Sequence, residues 1–185
     1  MFTLDDNIEK ATIEIGTIPL PSGGSALNSA SGSASGGLNC RLMRDDRYFW
    51  VLIIPEIEGV SELHDLTDED AALLAKLTRH LSQAIMVATS CDKINTAAIG
   101  NVVPMLHMHV VARHHGDEAW PQPVWGRGEA KPMSKTIEDW RVAVIKDALK
   151  QFKVAELNAE QTAQADQSGQ RAAGSANTSS SGSLL

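Results

Sequence analysis

The sequence has no stretch long and apolar enough to cross a membrane, and its N-terminus lacks the basic and apolar segments of a secretory signal. Cysteine is scarce as well. Cys40 and Cys91 have no CxxC spacing, which predicts two free thiols in a reducing compartment. We therefore expect a cytoplasmic protein without a membrane partner.

The sequence has fewer positively charged than negatively charged residues. The 16 Lys and Arg residues are outnumbered by 23 Asp and Glu residues, which gives a net charge of −7. Proteins that hold nucleic acid through a broad surface need clustered Lys and Arg, so this balance argues against a nucleic-acid partner. A small phosphate-bearing ligand needs only a few local donors and stays compatible with the sequence.

Two segments lack aromatic residues and contain few large apolar ones. Residues 21–39 consist almost entirely of Ser, Gly, Ala and Asn, and residues 155–185 have a similarly biased composition. Such segments bury too little apolar surface to offset the entropy lost on ordering. We predict one domain over residues 1–154, with a flexible insertion at 21–39, followed by a disordered tail at 155–185.

The other residues follow strand and helix periodicities. A helix is predicted after Thr67 as N-cap, with leucines at helical spacing, and a last helix after Ser134 with Ile137, Trp140 and Val144 on its apolar stripe. Five short strands are predicted in TIEIGTIPL, CRLMRDD, FWVLIIP, KINTAAIG and MLHMHVVAR. The predicted fold is α+β: a largely antiparallel sheet with one long amphipathic helix packed on it and a C-terminal helix.

The stretch NVVPMLHMHVVARHH holds four of the six histidines. In a strand, His107 and His109 share one face with Met105, while the residues between them face the helix. Three interpretations are open. Both imidazoles are structural; or they supply two ligands of a zinc, iron or copper site whose third ligand is unidentified; or one attacks phosphorus while its neighbour holds the phosphate oxygens.

The surroundings of this pair resemble the histidine triad (HIT) family, and in particular a bacterial branch with a W-P-x-P-x-W-G stretch. The resemblance rests on GNVVPMLHMHVVAR followed by DEAWPQPVWG, and on DDRYFWVLIIP, LTDED and KIN in the family's order. It covers most of the predicted domain. It implies a nucleotide hydrolase or nucleotidyl transferase of the dinucleoside polyphosphate or phosphoramidate type, or, alternatively, a nucleotide-binding protein with little turnover.

The resemblance also implies roles for individual residues. His107 falls at the family's nucleophile, which attacks the α-phosphorus while a main-chain carbonyl binds its other ring nitrogen. His109 falls at the histidine that contacts phosphate and leaving-group oxygens. The residues expected to bind substrate are Asn101, Asn95, Asp46 (or Asp45), Met105 and Trp125.

Two departures from the family stand out. Met105 replaces the first histidine of the triad, so we expect slow turnover or an unusual substrate; Trp50 stands where some members carry a histidine. The ligand implied is a purine nucleotide or nucleotide conjugate. The resemblance implies no cofactor in the protein, divalent metal carried only by the substrate, and a homodimer.

Overall fold

The computed structural model describes residues 2–24 and 36–176, with the side chains of residue 160 and residues 163–176 left out. Its elements are α1 (Asp6–Ala11), β1 (Thr12–Pro19), β2 (Gly37–Met43), β3 (Trp50–Pro55), a 3-10 turn (Leu63–Asp65), α2 (Asp68–Thr89), β4 (Lys93–Ala98), β5 (Met108–Arg113) and α3 (Lys135–Ala176). The five strands form one antiparallel sheet in the order β1-β2-β3-β5-β4. The predicted α+β fold is confirmed.

Strand β3 is apolar along its whole length because it lies in the middle of the sheet and both of its faces are covered. On one face α2 packs against β5 and β4. On the other face lies a second core cluster around Trp50, Leu52 and Val111, closed by Val103 and Val124 from the loops before and after β5. This second cluster is the one that surrounds the histidines.

Helix α2 begins as the sequence predicts. The Thr67 hydroxyl accepts the main-chain N–H of Asp70 at 3.2 Å, and three acidic residues in the first turn favour the positive end of the helix dipole. The helix ends at Ser90, which adopts a left-handed conformation with φ of 51°. Its fully buried stripe consists of Leu74, Leu77, Leu81 and Ile85.

Replacing Leu77 by alanine is expected to lower the free energy of unfolding by about 3 kcal/mol, because the side chain is 0% exposed and its loss leaves a cavity. Val87 on the same helix is 76% exposed and is the matched control: Val87→Ala should change stability by less than about 0.5 kcal/mol. Urea unfolding followed by circular dichroism measures both. Equal effects would contradict the packing of α2 described above.

One predicted boundary is corrected. Gly37–Asn39, predicted to belong to the flexible insertion, form the start of β2, because their main chain pairs with Thr17–Pro19 of β1. Residues 25–35 of the predicted insertion lie outside the described residues. Helix α1 was not predicted from the sequence. It is only six residues long. The Asp5 carboxylate caps it by accepting the N–H of Asn7 at 2.8 Å.

The disordered tail predicted at 155–185 is wrong as far as Ala176, where α3 ends. The segment is low in complexity but rich in Ala, Glu and Gln, which have high helix propensity. Residues 177–185 lie outside the described residues. The chain divides into two compact units, one ending at Leu149 and the other beginning at Lys150. Within the described part, no helix has the length and apolarity needed to span a bilayer.

The first turns of α3 differ from the predicted stripe. Ser134 does cap the helix, accepting the N–H of Ile137 at 3.3 Å, but Arg141 and Ile145 are buried whereas Trp140 is 41% exposed. The Arg141 guanidinium turns inward because it donates to the main-chain carbonyls of the turn between β2 and β3, at Asp45 (2.8 Å), Asp46 (2.8 Å) and Tyr48 (2.9 Å).

Candidate active site

The two spaced histidines lie at the start of β5. The strand begins at Met108, three residues later than the predicted strand MLHMHVVAR, because ladder pairing with β4 stops at Ala98 and Met108. His107 therefore precedes the strand and His109 is its second residue. The two rings lie on the face opposite α2, with centroids 4.9 Å apart and planes at 70°. Both side chains are buried, at 7% and 5% exposure.

The orientation of His107 is fixed by the main chain. Its Nδ1 lies 2.6 Å from the carbonyl oxygen of Met105. A carbonyl oxygen only accepts, so Nδ1 carries the proton and Nε2 carries the lone pair. This is the hydrogen bond expected from the family resemblance. Residue 105 can therefore orient the His107 ring even as a methionine, because the main-chain oxygen is the same whatever the side chain.

His109 is held by a different partner. The indole N–H of Trp50 on β3 donates to its Nδ1 at 2.8 Å. In the β3–β5 ladder, Leu52 stands directly opposite His109, so Trp50 is its diagonal neighbour on the same face, within reach of a large aromatic ring. The Trp125 ring packs against the same imidazole, with centroids 5.2 Å apart. His109 is enclosed by three rings: His107, Trp50 and Trp125.

Electrostatically, this pocket disfavours a charged imidazole. Burial, with a smaller contribution from nearby His107, lowers the pKa of His109 from 6.5 to about 3. Its Nε2 is buried and has no hydrogen-bond partner among the described residues, and the same holds for the indole Nε1 of Trp125. Two N–H donors within one aromatic cluster are thus available to an acceptor that enters the site.

The lowered pKa of His109 makes stability depend on pH. The unfolded chain takes up a proton near pH 6.5, whereas folded His109 does so only near pH 3. Stability is therefore complete above about pH 6.5 and falls as the pH approaches about 3, by at most about 1.4 kcal/mol per pH unit from this group. His109→Gln should flatten the fall measured by urea unfolding, while His64→Gln, on an exposed side chain, should not. An unchanged slope in His109→Gln would contradict the buried neutral imidazole.

Met105 and Trp125 lie where the sequence predicts a substrate site. Both are partly buried and pack against the cluster that surrounds His109. Met105 also lines a cavity of about 370 Å³, whose other walls are Phe2, Thr3, Ile57–Ser61 and Pro104. The N-terminal segment and the loop after β3 therefore lie beside Met105, and nothing in the sequence marked them as its neighbours.

The other three predicted binding residues lie on different elements of the fold. Asn101 is exposed in the loop between β4 and β5. Asn95 lies on β4, and its side-chain carbonyl accepts from Arg113 at 2.7 Å. Asp46 lies in the β2–β3 turn with its carboxylate 3.7 Å from the Arg141 guanidinium. The binding roles of all three stay predictions.

Arg113 is buried at the end of β5, in contrast to His114 and His115, which follow it in the sequence. It ends β5 with 1% exposure, and its guanidinium donates to the Asp117 carboxylate, to Asn95 and to the main-chain oxygen of Gln122 at 2.7–3.0 Å. His114 and His115 are exposed and face Asp92. Arg113 thus anchors the loop that carries Trp125 to the end of the sheet.

A metal site is the remaining interpretation of the histidine pair. Among the side chains that the structure describes, no three from His, Cys, Asp or Glu come together as a metal site would require. Both Nδ1 atoms are engaged, one with a carbonyl and one with an indole. Cys40 and Cys91 are not joined by a disulfide, in agreement with the predicted thiols, and both side chains are buried.

The fold and the site together define an α+β protein that presents two oriented imidazoles from one face of an antiparallel sheet. The HIT domain family model matches residues 42–116. Three solved bacterial histidine triad proteins are similar along most of their length. The protein from Sinorhizobium meliloti is 35% identical with a TM-score of 0.66, and the match covers 80% of this chain and 96% of that chain. The protein from Bradyrhizobium japonicum is 31% identical with a TM-score of 0.68, and the match covers 80% of this chain and 97% of that chain. The protein from Marinobacter aquaeolei is 30% identical with a TM-score of 0.67, and the match covers 82% of this chain and 98% of that chain. A comparison with curated proteins gives no match.

The chain therefore belongs to the histidine triad family. The family resemblance seen in the sequence is confirmed. Membership supports a HIT-type function in general, that is, nucleotide binding with or without turnover.

Proposed function

We propose that the protein is a nucleotide hydrolase or nucleotidyl transferase that acts at an α-phosphate through His107. The observation that carries the proposal is the 2.6 Å hydrogen bond from His107 Nδ1 to the Met105 carbonyl, which leaves the Nε2 lone pair as the nucleophile. Nε2 attacks phosphorus, the bond to the leaving group breaks, and a nucleotidyl-histidine forms. Water then displaces the nucleotide from His107.

The neighbouring donors suit a phosphate. The unpartnered Nε2 of His109 and Nε1 of Trp125 are buried N–H groups whose desolvation an incoming phosphate oxygen would offset. The cavity beside Met105 has the size of a small-ligand site, and we assign it to the nucleoside of a purine nucleotide or nucleotide conjugate. Asn101, Asn95 and Asp46 are the further binding residues we propose. No resident cofactor is part of the proposal; divalent metal would arrive on the substrate's phosphates.

The direct test is an intact-mass search for a nucleotide adduct. The protein is mixed with adenosine 5′-phosphoramidate, diadenosine triphosphate or an adenylylated amine and quenched rapidly. The expected result is an adenylyl adduct in the wild type and in His64→Ala, whose imidazole is exposed, and none in His107→Ala. Turnover that persists unchanged in His107→Ala would disprove the assignment of the nucleophile.

A second candidate is a nucleotide-binding protein with little or no turnover. It is favoured by Met105, whose thioether can neither give nor take a proton at the place of the first triad histidine. Calorimetry that shows tight nucleoside monophosphate binding, with neither adduct nor hydrolysis for any substrate, would select it over the enzyme.

We also propose a homodimer. Among the described strands, β4 lies at the edge of the sheet and pairs with β5 alone, so we expect its outer main chain to be open to a second copy. Sedimentation equilibrium should give twice the chain mass. Thr96→Pro would remove a main-chain donor on this edge strand and should lower the dimer fraction. A monomer at all accessible concentrations would contradict the proposal.

A further inference from the structure

The ring cluster around His109 contains a hydrogen bond that restricts what this histidine can do. The donor is the indole N–H of Trp50, a group that never gives up its proton at ordinary pH, and the acceptor is His109 Nδ1 at 2.8 Å. An imidazole nitrogen that accepts a hydrogen bond carries a lone pair and no proton. In a neutral ring the proton must then be on Nε2.

The residues around His109 disfavour any other protonation state of its ring. The titratable group that faces His109 is His107, which precedes the strand; the other two rings against it are Trp50 from β3 and Trp125 from the loop after β5. No carboxylate contacts either ring nitrogen among the described residues. Protonation at Nδ1 would break the Trp50 hydrogen bond and place a charge among indoles in a buried pocket. His109 is therefore a neutral Nε2–H donor.

We propose that Trp50 is a positioning residue that holds His109 as the neutral Nε2–H tautomer. The site consequently favours substrates whose leaving group departs without a proton, such as phosphoanhydrides, over phosphoramidates. The first part concerns the free protein alone, whereas the second part rests on the proposed function.

The difference between these substrates lies in the leaving group. When His107 Nε2 attacks an anhydride, the P–O bond breaks and its electron pair stays on a phosphate oxygen, which is stable as an anion. His109 Nε2–H stabilises that oxygen by a hydrogen bond and keeps its proton. When the leaving atom is an amine nitrogen, the P–N electron pair must take up a proton as the bond breaks. A neutral imidazole whose only proton is its N–H is too weak an acid to supply it.

The tautomer is tested in the free protein, by NMR of the full chain labelled in its histidine ring nitrogens. We expect wild-type His109 to be the Nε2–H tautomer and to remain unprotonated down to about pH 4, consistent with a pKa of about 3. Trp50→Phe keeps an aromatic ring but removes the donor, and should give a tautomer mixture. Trp125→Phe removes an indole N–H that makes no bond to His109, and should leave the tautomer unchanged. An Nδ1–H tautomer in the wild type, or protonation near pH 6.5, would overturn the role of Trp50.

The leaving-group preference is tested by steady-state kinetics with diadenosine triphosphate and adenosine 5′-phosphoramidate. The expected kcat/KM for the anhydride exceeds that for the amidate by about 10²-fold or more, the lower end of what a positioned general acid contributes. Trp50→His places a titratable ring against His109 Nδ1. It should lower the ratio of the two kcat/KM values about tenfold, mainly because kcat for the amidate rises.

The outcomes separate the two proposals. If neither substrate is turned over, both the proposed enzyme function and the leaving-group preference are disproved. The NMR measurement of the His109 tautomer then still tests the positioning role of Trp50. If both are turned over and the amidate is equal or faster, the leaving-group inference is overturned and the enzyme function stands.

Discussion

Replacing His107 by glycine is expected to lower kcat/KM for nucleotide hydrolysis by about 10⁴- to 10⁶-fold, the range found when an enzyme loses its nucleophile. The reason is geometric. His107 Nδ1 is bound to the Met105 carbonyl, so one ring nitrogen is oriented by the main chain and the other keeps its lone pair. The unpartnered Nε2 of His109 is a hydrogen-bond donor rather than a free nucleophile. Steady-state hydrolysis of a dinucleoside polyphosphate measures the loss.

The same variant offers a positive control. His107→Gly leaves a hole the size of an imidazole in a buried site, so free imidazole added to the assay should restore part of the activity. His64→Gly, on an exposed turn, should retain wild-type rates and show no response to imidazole. Activity in His107→Gly that is close to wild type without imidazole would place the nucleophile elsewhere.

Replacing Arg113 by methionine is expected to lower the free energy of unfolding by about 3–5 kcal/mol, since it leaves a buried carboxylate without its partner. The Asp117 side chain is 7% exposed. Burial raises the pKa of its carboxyl, but hydrogen bonds from Arg113 and from the main-chain N–H groups of His114 and Ala119 more than offset this, so the pKa lies below 3.8. Chemical unfolding at neutral pH measures the cost.

Two controls distinguish this loss from a general effect of removing charge. Arg79→Met removes an arginine from the exposed side of α2 and should cost less than about 0.5 kcal/mol. The double variant Arg113→Met with Asp117→Asn should cost less than the sum of the two single variants, because the second change removes the unpaired charge. Strict additivity would show that the ion pair is not the source of the stability.

The sign of the pH effect follows from the lowered pKa of Asp117. The stability contributed by this carboxylate is present above its unfolded pKa and is lost as the pH falls through the lower folded pKa. His109 acts at higher pH, between about 6.5 and about 3. The two groups therefore weaken the fold in successive pH windows.

The sequence was sufficient for the strand order along the chain, for α2 with its Thr67 cap and for the pairing of His107 with His109, because all three depend on local periodicity. It was insufficient wherever a contact depends on strand register. Trp50 was noticed as a departure from the family, but its bond to His109 requires knowing that Leu52 lies opposite His109. The only signal available was a tryptophan at the start of a strand whose other residues are aliphatic or proline.

The remaining differences between the sequence-based expectations and the structure have two causes. Nothing in the sequence marks Arg113 and Arg141 as buried, yet both are, because carboxylate and carbonyl oxygens accept from most of their guanidinium N–H groups. Composition likewise suggested disorder for a segment that continues α3, since low complexity and helix propensity coexist in Ala, Glu and Gln. Burial of a polar side chain depends on partners that lie far away in the sequence.

The hydrogen bonds of the Arg141 guanidinium affect the order in which parts of the protein fold during synthesis. It binds three carbonyls of the turn that leads into β3, about 95 positions earlier in the chain, and that strand carries Trp50. On a ribosome, which releases the chain from its N-terminus, this turn emerges long before its partner, so its carbonyls first bind water. We therefore expect the turn before β3 to reach its final hydrogen bonding only after the start of the last helix has left the exit tunnel.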